Sequence, residues 1–256
     1  MKAVATIVRL LWRNGRWAKT LLVLLIALVM IRLGFWQLDR LHQRRARNAA
    51  IMAQSAQPPL SLNDPQNDGL WDASPYRLWQ AQGYFDFEHQ FFLKSQTWKG
   101  VVGYHVITPF HLIGRREVVL VDRGWIPYAS SFGGSIDPYP YPDHEVTIRG
   151  IVGRDALPPR GREGPFLPDP SDRTLYYVDP ASLSTVLPYT LLPIYLVWTA
   201  AEGEDVQQLP YRPAYSVNLD EGPHLGYAIQ WFSFAVIVLG GYVYWLVRQE
   251  KESRGK

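Results

Sequence analysis

Two long apolar runs, one near each end of the chain, frame a middle in which apolar and polar residues alternate over short stretches. From Leu225 to Val247 the second run carries no charge. At the helical rise it reaches about 35 Å, enough for the roughly 30 Å hydrocarbon core of a bilayer. It opens at His224, carries Gln230 and Ser233 in its first half, and closes on Tyr242, Tyr244 and Trp245 before Arg248. The first run, Thr20–Ile31, leads into Arg32 and then LGFWQ, and residues 17–37 together are long enough to span. A signal peptide would end in a small-residue cleavage site. Here Arg32 and LGFWQLDR follow instead, so a retained anchor is predicted.

Residues 39–57 contain no Pro or Gly and are rich in helix formers, which predicts that the first helix continues beyond the membrane until Pro58-Pro59 stops it. Residues 60–75 read as loop. From Tyr76 the period changes. RLWQAQGYF, HQFFLKSQ, GYHVITPF, REVVLVDRGWI, EVTIRGIVG, TLYYV and LLPIYLVWT are β-branched and aromatic, with Gly and Pro between them. SLSTVL (182–187) predicts a short helical turn. Residues 129–143 and 154–172 are Pro- and Gly-rich loops, and 203–223 return the chain to the membrane.

The expected organisation is a basic flank (1–19), a first membrane helix (20–38), its extension (39–57), a β-rich extramembrane domain (58–223), a second membrane helix (224–247) and a basic tail (248–256). The fold class is a membrane protein whose two transmembrane α-helices flank a mainly β domain, an antiparallel sheet or small barrel.

Charge sets an expected orientation. Nine Lys and Arg flank the two terminal ends, and four (Arg40, Arg44, Arg45 and Arg47) follow the first span, which places both termini inside and the middle outside. The net charge is only +3, with the bases beside the spans, which points to membrane topology and away from nucleic acid. The 256 residues include no Cys, so disulfides, thiolate metal sites and CxxC redox chemistry are excluded. The immediate start of the first span favours a bacterial plasma membrane; the alternative is the mitochondrial inner membrane.

Six histidines are present, with no i, i+4 helical pair and no HExxH, so a zinc site built from protein side chains alone is not expected. His224 differs by its place at the outer mouth of a membrane helix, where a neutral imidazole suits a haem iron. On a helical wheel His224, Tyr227, Ala228, Trp231 and Ala235 share one face, where alanines leave room and aromatics could wall a flat ring. The plainer role for such a histidine is to cap the helix or face headgroups. Gln230 lies inside the span, where a polar residue faces protein or a cavity, or serves as helix–helix glue. Arg32 and Gln37 fall near the depth of His224 and Gln230; Arg32 could pair with a carboxylate or snorkel to the headgroups. In DRGWIP, Asp122 and Arg123 could form a functional pair or satisfy a strand end. Asp86, Glu88, Glu117 and Asp122 are scattered through the strands, and neither GxSxG nor GxGxxG is present.

Taken in order, LGFWQLDR (33–40), GYFD (83–86), VVGYHVITPF (101–110), VLVDRGWIP (119–127) and HLGYAIQWFSFA (224–235) resemble the Surfeit locus protein 1 family, assembly factors for haem–copper cytochrome c oxidase. HLGYAIQWF and VDRGWIP are the specific segments. The resemblance implies two membrane helices around an extramembrane domain, no turnover, and the holding or delivery of haem a. Its expected partners are the oxidase catalytic subunit and other oxidase assembly factors. The family's membrane-helix histidine, proposed to ligate haem, falls on His224. Tyr227 and Trp231 would then pack on the macrocycle, and Gln230 and Arg32 would meet its polar substituents. One alternative is a scaffold that contacts oxidase subunits without haem. Another is a membrane-anchored hydrolase using an acid pair or a nucleophile.

Overall fold

A computed structural model describes residues 17–128, 144–153, 167–201, 204, 208–212, 214–217 and 219–254. The basic residues 1–16, the loop 129–143 and residues 154–166 of the second loop lie outside the described residues. In chain order the elements are α1 (Trp17–Ser55), β1 (Leu60–Ser61), α2 (Leu70–Ala73), β2 (Trp79–Phe85), β3 (Phe91–Trp98), β4 (Val101–Leu112), β5 (Val118–Pro127), β6 (Val146–Val152), β7 (Thr174–Leu175), α3 (Pro180–Leu183), β8 (Leu191–Trp198) and α4 (His224–Arg254). They form two compact units, one of residues up to Ala50 with those from Leu219 on, the other of residues 51–218.

The first unit is a helix pair. α1 runs unbroken for 39 residues because nothing from Trp17 to Ser55 breaks it: there is no Pro, and its one Gly, Gly34, sits where the helices touch. Only 17% of the apolar stretch in α1 and 11% in α4 is buried. A core helix would be mostly covered, so these surfaces are the kind that lipid covers.

The covered positions repeat every three and four residues. On α1 they include Thr20, Val23, Ala27, Met30, Gly34, Gln37 and Leu41; on α4, His224, Ala228, Trp231, Ala235, Val238 and Tyr242. This is the heptad seam of two coiled helices. The contacts run in opposite directions along the two helices. Thr20 Oγ1 lies 2.6 Å from the Tyr242 hydroxyl, the Phe35 and Phe232 rings meet edge-on at 5.3 Å, and Asn48 Nδ2 donates to the Leu219 carbonyl at 2.6 Å. The helices are therefore antiparallel. Gly34 sets the approach, since a Cβ there would lie 2.6 Å from the Phe232 ring.

The second unit is built on a closed ring of five strands in the order β2-β6-β8-β5-β4. The ring closes where Gly83, Tyr84 and Phe85 of β2 pair with Leu112, His111 and Phe110 of β4. β3 extends the sheet from β4 and carries β7, and β1 lies beside β2. Of the two expected forms, the sheet takes the barrel. It is also mixed rather than wholly antiparallel, with β1–β2, β3–β7 and β5–β8 parallel. β8 can lie parallel to β5 because a long crossover through β6, β7 and α3 separates them in sequence.

Alternation explains the inside of the ring. Trp79, Ala81 and Phe85 of β2, Val119 and Val121 of β5, Ile148 of β6 and Leu192, Ile194 and Leu196 of β8 form one cluster. β5 is buried from Val118 to Ile126 because its other face is covered too, with Val118 and Leu120 packing on Leu175, Val178 and Leu183.

Residues 60–75 were expected as loop and are more ordered than that. Asp64 accepts from the Gln66 amide to start a 3-10 turn, and α2 buries Trp71, whose ring lies 6.1 Å from Trp79. The expected turn at 182–187 begins earlier, at Pro180. Asp179 caps it, accepting from the Ala181 amide at 3.1 Å, and Pro180 fills the first helical position.

Candidate functional site

The seam of the helix pair is apolar or small through its middle and polar at the end where α4 begins. There His224 Nδ1 lies 2.8 Å from Gln37 Oε1 of α1. Gln37 is buried and His224 half-buried. Both occupy seam positions, which is why they meet. The edge of the imidazole bearing Nε2 borders Gly222, where a Cβ would stand 3.5 Å from both Nε2 and Cδ2. Gly222 has φ +72°, a conformation that strongly favours glycine, and its amide donates to Asp220 Oδ1 at 2.8 Å.

The other sequence-chosen residues divide by face. Trp231 is on the seam, half-buried, in edge contact with Phe234 at 6.2 Å. Tyr227 and Gln230 are exposed on the outer side of α4, and Arg32 is exposed on α1. The room expected above Ala228 and Ala235 is filled: both are nearly wholly buried on the seam facing α1. Their small size lets two helices approach, as small residues do in membrane helix pairs. Gln37, which the sequence placed only at the right depth, is the residue that meets His224.

The β unit holds two further polar groupings. Asp86 closes the β2–β3 turn, its Oδ1 accepting from the Glu88 and His89 amides. Its Oδ2 accepts from Tyr189 Oη at 2.9 Å and lies 2.7 Å from His89 Nδ1; His111 Nε2 is 3.9 Å away. His111 stacks on Tyr84 at 4.9 Å and meets Tyr189 edge-on. Burial works to raise the Asp86 carboxyl, but the hydrogen bonds from His89 and Tyr189 outweigh it and hold the group below the ordinary carboxylate range. Burial pushes His111 down, against the pull of Asp86. Burial and the bond to Asp86 push the Tyr189 phenol up.

The second grouping joins two family-like segments, VVGYHVITPF and VLVDRGWIP, which are neighbouring strands β4 and β5. His105 Nδ1 lies 2.6 Å from buried Asp122 Oδ2, and Asp122 Oδ1 accepts from the Gly124 amide at 2.9 Å. Asp122 and Arg123 do not form the pair considered from sequence, because successive strand residues point to opposite faces. Arg123 instead donates to Gln90 Oε1 at 3.0 Å and lies over the Phe85 and Phe87 rings. Three of the four acids considered for hydrolysis have separate side-chain partners too: Asp86 has His89 and Tyr189, Asp122 has His105, and Glu117 has Arg115 at 3.3 Å.

A small mixed barrel inserted in sequence between two apolar helices that pair antiparallel, with an imidazole–amide pair at the mouth of their seam, defines a membrane-anchored protein whose polar chemistry within the helix pair centres on that mouth. Comparison with known proteins gives the same answer more narrowly. The SURF1 (Surfeit locus protein 1) family matches residues 24–236. A SURF1-like protein of Rickettsia felis is 30% identical over 233 residues, covering 88% of this chain and 96% of that one. One from Monosiga brevicollis is 26% identical over 87% of this chain and 85% of its own. An uncharacterized SURF1-like protein of Mycobacterium bovis is 27% identical over 86% and 79%. The chain belongs to the SURF1 family, a family of cytochrome c oxidase assembly factors, and its two apolar helices make it a membrane protein.

Proposed function

We propose that this chain holds haem a through His224 at the mouth of its helix pair and assists its delivery to, or retention in, the catalytic subunit of cytochrome c oxidase. It does so without turnover of its own, with the β domain on the outer face of a bacterial plasma membrane, where it docks the oxidase subunit or other assembly factors. The observation that carries the reading is the position of the imidazole. It opens the second membrane helix, is only half-buried, and borders Gly222 with its Nε2 edge. A neutral imidazole in that setting would hold a haem iron. Haem a, when bound, supplies the redox-active iron centre that the oxidase requires. Tyr227, Trp231, Gln230 and Arg32 are the chain's candidates for contact with the macrocycle and its polar substituents. Of these, Tyr227, Gln230 and Arg32 are the exposed ones.

A scaffold role without haem is the second reading. The burial of Ala228 and Ala235 favours it, because the seam beside His224 is already filled by α1. Absorption spectroscopy separates the two. The whole protein, purified after co-expression with a haem a synthesis pathway, is expected to carry the haem spectrum, and His224→Ala to lose it. Unchanged haem in His224→Ala would remove the ligand assignment. A colourless wild-type preparation that still co-purifies with the oxidase subunit would establish the scaffold.

A further inference from the structure

Resting on His224 as the haem ligand, we infer that Gln37 is a positioning residue. It holds the His224 ring protonated at Nδ1 and so presents Nε2 as the lone pair offered to iron. An amide oxygen can only accept, so the 2.8 Å contact from Gln37 Oε1 places the proton on Nδ1. A neutral imidazole carries one such proton, which leaves Nε2 as the acceptor. A histidine side chain alone in water favours the opposite tautomer, so the contact acts against the intrinsic preference.

The packing around the amide fixes it. Gln37 is 9% exposed, and one turn to either side are Gly34, seated against the Phe232 ring, and buried Leu41. On the far edge of the ring, Nε2 borders Gly222 at ordinary van der Waals range. One helix thus sets which nitrogen is protonated, and the remaining nitrogen lies on the edge beside the turn entering the other. This is the arrangement by which outer hydrogen bonds orient metal-binding histidines and raise their basicity.

The test reads the proton directly. The whole protein is labelled with 15N-histidine, held in detergent at alkaline pH where imidazole is neutral, and His224 is assigned by its disappearance in His224→Ala. Nitrogen NMR is expected to show the proton on Nδ1 in the wild type, on Nε2 in Gln37→Leu, and again on Nδ1 in Gln37→Glu, which keeps an acceptor oxygen. Circular dichroism checks that Gln37→Leu keeps its helices; Gln37→Met replaces it if they are lost. With haem a supplied by co-expression, Gln37→Leu is expected to hold it about 10- to 100-fold more weakly, with Gln37→Glu restoring much of the loss.

A wild-type ring protonated at Nε2, or a tautomer unmoved by Gln37→Leu, overturns the inference. The two readings fail separately. If Gln37→Leu moves the proton but His224→Ala keeps its haem, the ligand assignment falls and a structural hydrogen bond is left. If His224→Ala loses haem while the tautomer stays put in Gln37→Leu, only the role of Gln37 falls.

Discussion

Asp86 shows what one carboxylate does in the β unit. One oxygen closes a turn, and the other gathers a histidine and a tyrosine, with a second histidine at the margin. Acid therefore acts on this corner in two stages. His111 is held below its ordinary value of 6.5 by burial, so over that range the unfolded chain binds more protons than the folded one, and stability falls as pH drops through the ordinary value. Asp86 lies below its ordinary value of 3.8, so its contribution is complete above that value and is lost only as pH falls through the lower, folded one. The melting temperature of the whole protein in detergent is expected to fall between about pH 7.5 and about pH 5.5, and His111→Gln to flatten that slope. An equal slope in the variant would assign the effect elsewhere. At this scale the sequence was informative about position along a helix and poor about facing. His224 stood out by its place at the start of an uncharged run. Arg32, Gln37 and Gln230 all lay near its depth, and nothing in their chemistry separated them. The seam separates them, turning Gln37 inward and leaving the other two outside.

Elements formed largely where alternation and helix breakers put them, because both report on a single segment. The strand-like runs became β2 to β8 with modest shifts at their ends, and α1 stops before Pro58. The parallel pairing of β5 with β8 was not legible, since alternation tells which face is buried and not which way the neighbour runs. The helix seam was partly legible. The small residues Ala27, Gly34, Ala228 and Ala235 are spaced by sevens, but the same alanines also read as space for a ring. Gly34 makes the seam testable. Gly34→Ile puts side-chain atoms into the Phe232 ring and is expected to lower the melting temperature and speed hydrogen exchange in both helices. Phe232→Ala alone should cost stability by losing its packing. Combined with Gly34→Ile it should cost less than the two separately, because the small residue makes room for the large one. Strict additivity would mean that the ring and the glycine do not meet.

For the whole molecule, the antiparallel seam and the charge distribution make independent statements about topology. Lys19 sits over the Trp245 ring at 5.7 Å and Thr20 bonds Tyr242, so the start of α1 and the later part of α4 share one end of the pair. At the other end Arg45 holds Glu221 with two bonds of 2.9 Å, and there the chain leaves α1 and returns to α4. If both helices span, the two termini lie on one side and everything between the helices lies on the other, whatever the charges. The charges bear on the side. Nine Lys and Arg at the terminal ends against four after the first span predict termini that face inward. The four are not negligible, but Arg45 is engaged by Glu221, which weakens their claim on the inner leaflet. Because the sequence has no cysteine, single-cysteine labelling reads the answer cleanly. Tyr176, 72% exposed in the β unit, and Lys251, exposed near the end of α4, are suitable positions. In intact spheroplasts a membrane-impermeant maleimide is expected to label Tyr176→Cys and to reach Lys251→Cys only after lysis. Labelling in the reverse order would invert the topology, and labelling of both in intact spheroplasts would mean that the helices do not both cross.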